Sequence, residues 1–295
     1  MRFAKMLLAT LLILAVAAGA AFAEGAQEGA AEDRGEVEIA YVEWARAVAI
    51  THVAAVVLED LGWDASVNNV SNAAMWQSVA AGDSDALLCA WLPVTHQNEY
   101  GQFQDDVVDL GPNYTGAQLG LVVPEYVDVD SIPELVESAE QFDSEIVGID
   151  PGAGMMQATE NAIESDTSGL GTFELLEGSG PTMAAALGSA IDNEEPIVVT
   201  GWAPHWKFGR WDLKILDDPA GIYGEAETIN TIVRTGLQED DPELYTFFNE
   251  FDWQSVDLGP VLVMNQDGMD PMESARQFVA DNEDLIQSAL PDSLK

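Results

Sequence analysis

The chain has 295 residues, of which 52 are Asp or Glu and 10 are Lys or Arg, so its formal net charge is −42. The acidic residues are spread along a sequence that is 47% hydrophobic, which indicates a folded protein with an acidic surface. The resulting negative field opposes binding to nucleic acid and to anionic lipid. We interpret this solvated acidic coat as that of a halophilic protein, because high salt weakens self-repulsion. An acidic secreted protein from another environment is the alternative.

The first 23 residues have the pattern of a secretory signal peptide. Arg2 and Lys5 form a basic head, an apolar stretch follows, and the small residues AFA precede the expected cleavage point. An uncleaved membrane anchor is the alternative, but a spanning helix needs about 20 apolar residues. Residues 24–35 are polar, small and without periodicity, which predicts a flexible leader. We therefore expect a cleaved protein that is free in the periplasm.

Strand-like and helix-like patterns alternate through the first half of the chain. Short apolar runs predict strands at 37–42, 65–70, 85–92 and 119–124. Helical spacing of apolar residues predicts helices at 47–61 and 72–82. This alternation is typical of an α/β fold with a parallel sheet.

The second half repeats the same order. The next predicted strands are 145–150, 172–178 and 196–202. The helices between them are predicted at 151–165 and 182–195. A strand at 230–237 follows, and two amphipathic helices, 240–251 and 270–290, each begin with an Asp-Pro pair. The repeated order predicts two similar α/β lobes with a ligand cleft between them.

The lobe boundaries follow from where the order restarts. The first lobe is predicted to contain residues 36–140 together with residues 229–295, because a helical tail of this kind packs back on the first lobe. The second lobe is predicted to contain residues 141–228. The mature chain is long enough for two domains of ordinary size, or for one large one.

Residues that could catalyse a reaction are scarce. The sequence contains no G-x-S-x-G, H-E-x-x-H, C-x-x-C or P-loop motif, and no calcium-binding loop. The single cysteine, Cys89, lies in an apolar run, which predicts a buried and inert thiol. We therefore predict no catalytic residue, no cofactor and no metal site. A secreted hydrolase remains the alternative from another functional class.

Three tryptophans lie at or just beyond the ends of predicted strands: Trp44, Trp91 and Trp202. Ligands of open parallel sheets bind outside the carboxyl ends of the strands, although core packing is the alternative for each ring. A quaternary ammonium has no N–H to donate, and indole faces can hold it. A carboxylate on the same ligand would need donors. The helix that begins near PGAGMM and the side chain of His96 offer them.

Several motifs follow one another along the chain: YVEWARAVAITH, DALLCAWLPVTH, GIDPGAGMM, VVTGWAPHW and GIYGEAE. Together they resemble the substrate-binding proteins of glycine betaine ABC importers, the OpuAC-type group, over about residues 37–278. The resemblance implies a two-lobed periplasmic-binding-protein fold, the Venus flytrap. In that fold each lobe is a mostly parallel sheet flanked by helices, and the ligand lies in the interlobe cleft.

The resemblance also implies which residues contact the ligand. The aromatic box around the quaternary ammonium consists of Trp44, Trp91 and Trp202. The groups that hold the carboxylate are the ring of His96 and the backbone N–H groups of Gly154 and Met155. His205 and Trp206, in the motif PHW, are candidates for the rim of the cleft, with a structural role preferred over ligand contact.

The implied function is capture of glycine betaine or proline betaine for osmoprotectant uptake. The partners would be a membrane permease and its ATPase, and the binding protein itself is expected to be a monomer. The single cysteine lies far from the apolar N-terminal stretch, so we expect a freely diffusing protein and no lipoprotein. A binding protein for choline, carnitine or ectoine, and a sensor subunit, are the alternatives.

Overall fold

The structure is a computed structural model that describes residues 34–295. The predicted signal peptide and nearly all of the predicted leader lie outside the described residues. None of the helices in the described range is long and apolar enough to cross a membrane.

The strands of residues 34–295 are β1 Glu36–Tyr41, β2 Asp64–Asn69, β3 Ala86–Leu92, β4 Val107–Pro124, β5 Glu145–Val147, β6 Glu174–Leu176, β7 Val199–Ala203, β8 Leu213–Ile215 and β9 Glu227–Arg234. The α-helices in the same range are α1 Ala45–Leu61, α2 Asn72–Ala81, α3 Gln97–Phe103, α4 Ile132–Glu137, α5 Gly154–Glu164, α6 Gly180–Asp192, α7 Lys207–Arg210, α8 Leu237–Asp240, α9 Pro242–Glu250, α10 Gly259–Gln266, α11 Pro271–Asp281 and α12 Glu283–Ala289.

The strands form one mixed sheet in the order β2-β1-β3-β9-β4-β7-β5-β6, with β8 beside β4. The outer strands are parallel on both sides, where β1 pairs with β2 and β3, and β5 pairs with β6 and β7. The central strands are antiparallel, because β9 runs against β3 and β4, and β4 runs against β7 and β8. The predicted α/β fold is confirmed, and its parallel strands flank an antiparallel centre.

Strand β4 connects two groups of strands. Its residues 107–117 pair with β9, whereas residues 118–124 pair with β7 and β8. We therefore call β2, β1, β3 and β9 the first strand group, and β7, β5, β6 and β8 the second strand group. The chain returns to the first group at β9, which begins at Glu227. The predicted lobe boundaries at 140 and 229 remain a prediction.

Helix α1 is buried along most of its length, because it lies between the first strand group and the C-terminal helices. Gly62 ends the helix in the left-handed conformation (φ 106°), which glycine adopts without a steric penalty. Side chains of α1, β1 and β3 share one apolar core with side chains of α9, α10, α11 and α12. Residues at the C-terminus of the chain thus complete the core that begins at its first strand.

Both Asp-Pro pairs begin helices, as the sequence predicts. The Asp241 side chain accepts a hydrogen bond from the backbone N–H of Leu244, and Asp270 accepts from the first turn of α11. The predicted single helix at 270–290 is instead two helices, α11 and α12. The chain leaves helical geometry at Asn282 (φ −126°, ψ 33°), which separates them.

Candidate ligand-binding site

A small cavity lies between the two strand groups. Its lining residues are Trp44, Trp91, Thr95, His96, Leu119, Ile149, Ala153, Gly154, Met155 and Trp202. The structure therefore brings together all six residues that the sequence predicts as ligand contacts. Thr95, Leu119, Ile149 and Ala153 were not predicted, although Thr95 is part of the motif that carries His96.

The three tryptophans reach the cavity from different strands. Trp91 is the last residue but one of β3, and Trp202 is the last residue but one of β7. Trp44 precedes the first residue of α1, just beyond the end of β1. All three are buried. Because Trp44 and Trp91 belong to the first strand group and Trp202 to the second, a box of three rings requires both groups.

Trp44 is held by contacts on two sides. Its indole Nε1 donates a hydrogen bond of 2.9 Å to the Asp150 carboxylate, and its ring stacks on His96 with centroids 5.5 Å apart. The indole N–H is therefore satisfied within the protein, and its ring face is the part left for a ligand. The hydrogen bond to Asp150 also links the end of β1 to the loop after β5.

His96 is buried, and its tautomer is set by a backbone hydrogen bond. Its Nδ1 accepts the N–H of Trp91 at 3.0 Å, so the proton of the neutral ring is on Nε2. Burial lowers the pKa of His96 to about 3. The ring is therefore a neutral donor through Nε2 at physiological pH, and it offers no positive charge to repel a ligand cation.

Helix α5 begins at the cavity with Gly154 and Met155. The first N–H groups of a helix have no partner within the helix, and they carry its positive dipole end. The N-terminus lies against the turn after β3, since a Cβ added to Gly154 would be 2.2 Å from the Thr95 carbonyl oxygen. Only glycine permits this approach. The helix end and His96 are thus brought to the same part of the cavity.

A buried carboxylate holds the turn that carries Thr95 and His96. Glu227, at the start of β9, accepts hydrogen bonds from the backbone N–H groups of Val94 (2.6 Å) and Thr95 (3.0 Å), and from the Thr95 hydroxyl. Glu227 is the last residue of the motif GIYGEAE, which the sequence shares with the family it resembles but which gave no site prediction.

His205 and Trp206 do not line this cavity. The His205 ring packs edge-on against Trp202 at 4.8 Å, and Trp206 packs against Trp211 at 5.4 Å. His205 therefore contacts Trp202 directly, whereas Trp206 contacts His205 and Trp211, and their predicted place at the rim of the cleft remains a prediction.

Cys89 lies outside the cavity lining and is buried. Burial raises the pKa of the Cys89 thiol to about 12, so the side chain is a neutral thiol. Across residues 34–295, no group of three or more His, Cys, Asp or Glu side chains is arranged to hold a metal ion.

Several proteins with similar sequences and structures are named as binding proteins of transporters. The chain is 44% identical to the glycine betaine/carnitine transport binding protein GbuC of Listeria monocytogenes over 147 residues, which is 50% of this chain and 49% of that protein. The matched region thus spans about half the length of that relative.

Two solved structures cover nearly the whole described chain. Lactococcal OpuAC, in its closed conformation with glycine betaine, superposes with a TM-score of 0.81 and 37% identity, covering 87% of this chain and all of that one. The glycine betaine/L-proline-binding protein ProX of Borrelia burgdorferi superposes with a TM-score of 0.82 and 36% identity, covering 88% of this chain and 98% of that one. Residues 35–281 match the model of the substrate-binding domain of ABC-type glycine betaine transport systems. The chain therefore belongs to the OpuAC family of substrate-binding domains.

Proposed function

We propose that this protein captures glycine betaine, or the related proline betaine, outside the cytoplasm and delivers it to the permease and ATPase of an ABC importer. The observation that carries the proposal is the composition of one cavity. Three indole rings line it together with a neutral histidine donor and the N-terminus of a helix. No bond is made or broken.

The indole rings suit the trimethylammonium end of the ligand. Each cation–π contact contributes roughly 0.5 to 2 kcal/mol, depending on how completely water is excluded. A carboxylate would also attract the cation, but burying an ion pair carries a larger desolvation penalty. The Asp150 carboxylate beside the box already accepts the Trp44 indole N–H. The aromatic faces are therefore the groups that receive the cation.

Other groups in the cavity lining suit a carboxylate. His96 provides Nε2–H, and the first residues of α5 provide backbone N–H groups at the positive end of a helix dipole. Choline has no carboxylate, so these donors would lack a partner if choline were bound. Leaving buried donors unpaired is unfavourable, and we therefore infer selectivity for betaines over choline.

Ligand binding would hold the two strand groups together. Trp44, Trp91 and His96 come from the first group, whereas Trp202 and the start of α5 come from the second. A zwitterion that contacts all of these groups stabilises the arrangement in which they face one another. This closed form is what the permease would recognise. Cleavage after residue 23, a periplasmic location and a monomeric state complete the proposal.

The names of similar proteins support this assignment, because they include glycine betaine as a ligand. GbuC is named as a glycine betaine/carnitine binding protein, and the lactococcal structure contains glycine betaine. The acidic composition is consistent with a source in which compatible solutes are needed, because a cell in brine must balance external osmolarity.

Calorimetric titration with glycine betaine, proline betaine, carnitine, ectoine and choline tests the assignment. We expect glycine betaine or proline betaine to bind most tightly, and Trp202→Ala to weaken that binding at least about tenfold, or about 1.4 kcal/mol. Trp211→Ala is the matched control, because Trp211 lies in the same segment but outside the cavity lining. Tighter binding of choline than of either betaine would overturn the assignment, and an unchanged Kd in Trp202→Ala would remove Trp202 from the box.

A further inference from the structure

Lys207 is a buried cation with no hydrogen-bond or ion-pair partner among residues 34–295. The side chain at the start of α7 is fully buried, and its Nζ forms no hydrogen bond. Within the described part of the chain, no carboxylate lies at ion-pair distance from it. A buried ammonium that lacks both hydrogen bonds and a counter-ion is strongly disfavoured. Its presence beside the ligand cavity therefore needs an explanation.

The ammonium group contacts the aromatic wall of the candidate site. Nζ lies 4.7 Å from the centroid of the Trp202 ring and 5.6 Å from that of Phe208. Trp202 lines the ligand cavity, whereas Lys207 does not. The lysine therefore contacts the Trp202 indole from outside the cavity lining, and a ligand cation would use the part of the ring that faces into the cavity.

The titratable group that faces Lys207 is His205. The His205 Nδ1 accepts the backbone N–H of Lys207 at 3.1 Å, so this nitrogen carries no proton. Burial, together with the charge of Lys207, holds the pKa of His205 well below its usual value. Gly201 of β7 lies against Nζ, since a Cβ added there would be 2.9 Å from it, and the uncharged Val122 of β4 lies beside the same point. The charge on Arg210, later in α7, is directed to Asp267 at the surface.

Burial lowers the pKa of Lys207 to about 7. The side chain therefore changes between ammonium and amine near neutral pH, where an exposed lysine would remain charged. None of the three histidines interferes in this range, because the pKa values of His52, His96 and His205 are all lowered by burial.

We propose that Lys207 is an affinity-determining residue of the quaternary-ammonium site: as an ammonium it weakens the hold of Trp202 on the ligand cation, and as an amine it does not. This inference rests on the proposed function, because it requires a ligand whose cation meets Trp202. Lys207 acts through the indole ring and does not touch the ligand.

Coulomb's law sets the size and the sign of the effect. Cations at similar heights on the two sides of one indole would be about 9 Å apart, and an effective dielectric constant of about 20 then predicts a roughly twentyfold difference in affinity between the amine and ammonium forms. The neutral amine favours the ligand, so affinity rises with pH. By reciprocity, the ligand favours loss of the lysine proton, and binding near pH 7 releases a fraction of one proton.

Calorimetry with glycine betaine at pH 6.0, 7.0 and 8.5, in buffers of low and high ionisation enthalpy, tests the inference. We expect the wild-type protein to bind about sevenfold more tightly at pH 8.5 than at pH 6.0, where about a tenth of Lys207 is already amine, with proton release greatest between pH 6 and pH 7. Lys207→Met should bind at pH 6.0 as tightly as the wild-type protein does at pH 8.5, without proton release. Lys214→Met is the control, because Lys214 pairs with Asp130 at the surface, and it should keep the wild-type pH profile.

The outcomes separate this inference from the proposed function. If glycine betaine binds the wild-type protein with the same affinity from pH 6.0 to 8.5 and releases no proton, the role of Lys207 is overturned while the betaine assignment stands. The role is also overturned if Lys207→Met retains the wild-type pH dependence. If no betaine binds at any pH, the proposed function fails, and this inference fails with it. The wild-type measurement decides the matter even if the methionine variant does not fold.

Discussion

At the scale of single residues, Gly154 shows how closely the cavity depends on backbone contact. A Cβ at this position would meet the Thr95 carbonyl oxygen at 2.2 Å and the Thr95 methyl group at 2.7 Å. Gly154→Ala would therefore push the start of α5 away from the turn that carries His96. We expect the Kd for glycine betaine to rise at least about tenfold, since overpacking of this kind costs roughly 1 to 3 kcal/mol. Calorimetric titration measures the change directly.

Gly152→Ala is the matched control for this substitution. Gly152 lies two residues earlier, and a Cβ there would have no atom within 4 Å. We expect its Kd to stay within about twofold of the wild-type value, given that surface changes of this kind alter stability by under about 0.5 kcal/mol. Equal affinities in the two alanine variants would show that α5 does not need to approach Thr95.

The residues with the most distinctive chemistry were the ones that the sequence could predict. Trp44, Trp91 and Trp202 are rare side chains at strand ends, so their position could be inferred from local pattern. Asp150 and Glu227 are two of 52 acidic residues, and nothing local distinguishes them. Their roles depend on partners 106 and 132 or 133 positions away in the chain, which only the folded arrangement brings within hydrogen-bonding distance.

At the scale of elements, the turn after β3 depends on Glu227. The carboxylate accepts two backbone N–H groups and a hydroxyl, and hydrogen bonds to a charged acceptor contribute about 1.5 to 3 kcal/mol each. Glu227→Gln replaces one carboxylate oxygen with a donor that faces other donors. We expect faster hydrogen–deuterium exchange at Val94 and Thr95, and glycine betaine binding weakened at least about threefold, since His96 follows directly.

Glu225→Gln provides the comparison for that experiment. The Glu225→Gln substitution removes the same charge from the same segment, but Glu225 is exposed. In this variant, hydrogen–deuterium exchange at Val94 and Thr95 and the affinity for glycine betaine should match those of the wild-type protein. If the two glutamine variants behave alike, the effect comes from net charge, and Glu227 does not position the turn.

The least predictable element was β4. Only residues 119–124 were predicted as a strand, whereas β4 runs from Val107 to Pro124. Its first part contains register shifts against β9 and two glycines at positive φ, Gly111 and Gly116. Bulges of this kind break the alternation of inward and outward side chains from which a strand is recognised. The ends of elements with regular periodicity, such as α1 and α6, were predicted to within three residues.

At the scale of the whole molecule, the repeated order of strands and helices predicted an α/β fold with two parallel sets of strands. The pattern could not show that β4 passes from one set to the other, or that β9 lies antiparallel between β3 and β4. Strand order depends on contacts between residues far apart in sequence, and local periodicity contains no information about them. The overall charge, in contrast, could be taken directly from composition.

That charge predicts how the stability of the molecule responds to salt. With 52 acidic and 10 basic residues, acidic side chains exceed basic ones by 42, so most carboxylates have no basic residue of their own to pair with. The ion pairs that form, such as Arg276 with Glu59 and Arg210 with Asp267, are at least partly exposed and contribute little. Repulsion among the remaining carboxylates destabilises the folded chain. Added salt reduces this repulsion, because the Debye length falls from about 10 Å at 0.1 M to about 3 Å at 1 M.

We therefore expect the Tm of the ligand-free protein to rise by at least about 5 °C between 0.05 and 1 M NaCl, with most of the rise below 0.5 M, where screening changes fastest. Thermal unfolding followed by circular dichroism measures this. Sodium perchlorate below 0.5 M is the control, and it should raise the Tm by a similar amount. Screening depends only on ionic strength, whereas stabilisation by exclusion of a salt from apolar surface depends on which salt is used. A Tm that stays level in both salts would mean that the carboxylates are spaced widely enough to be tolerated without screening, and the halophilic interpretation of the composition would then be wrong.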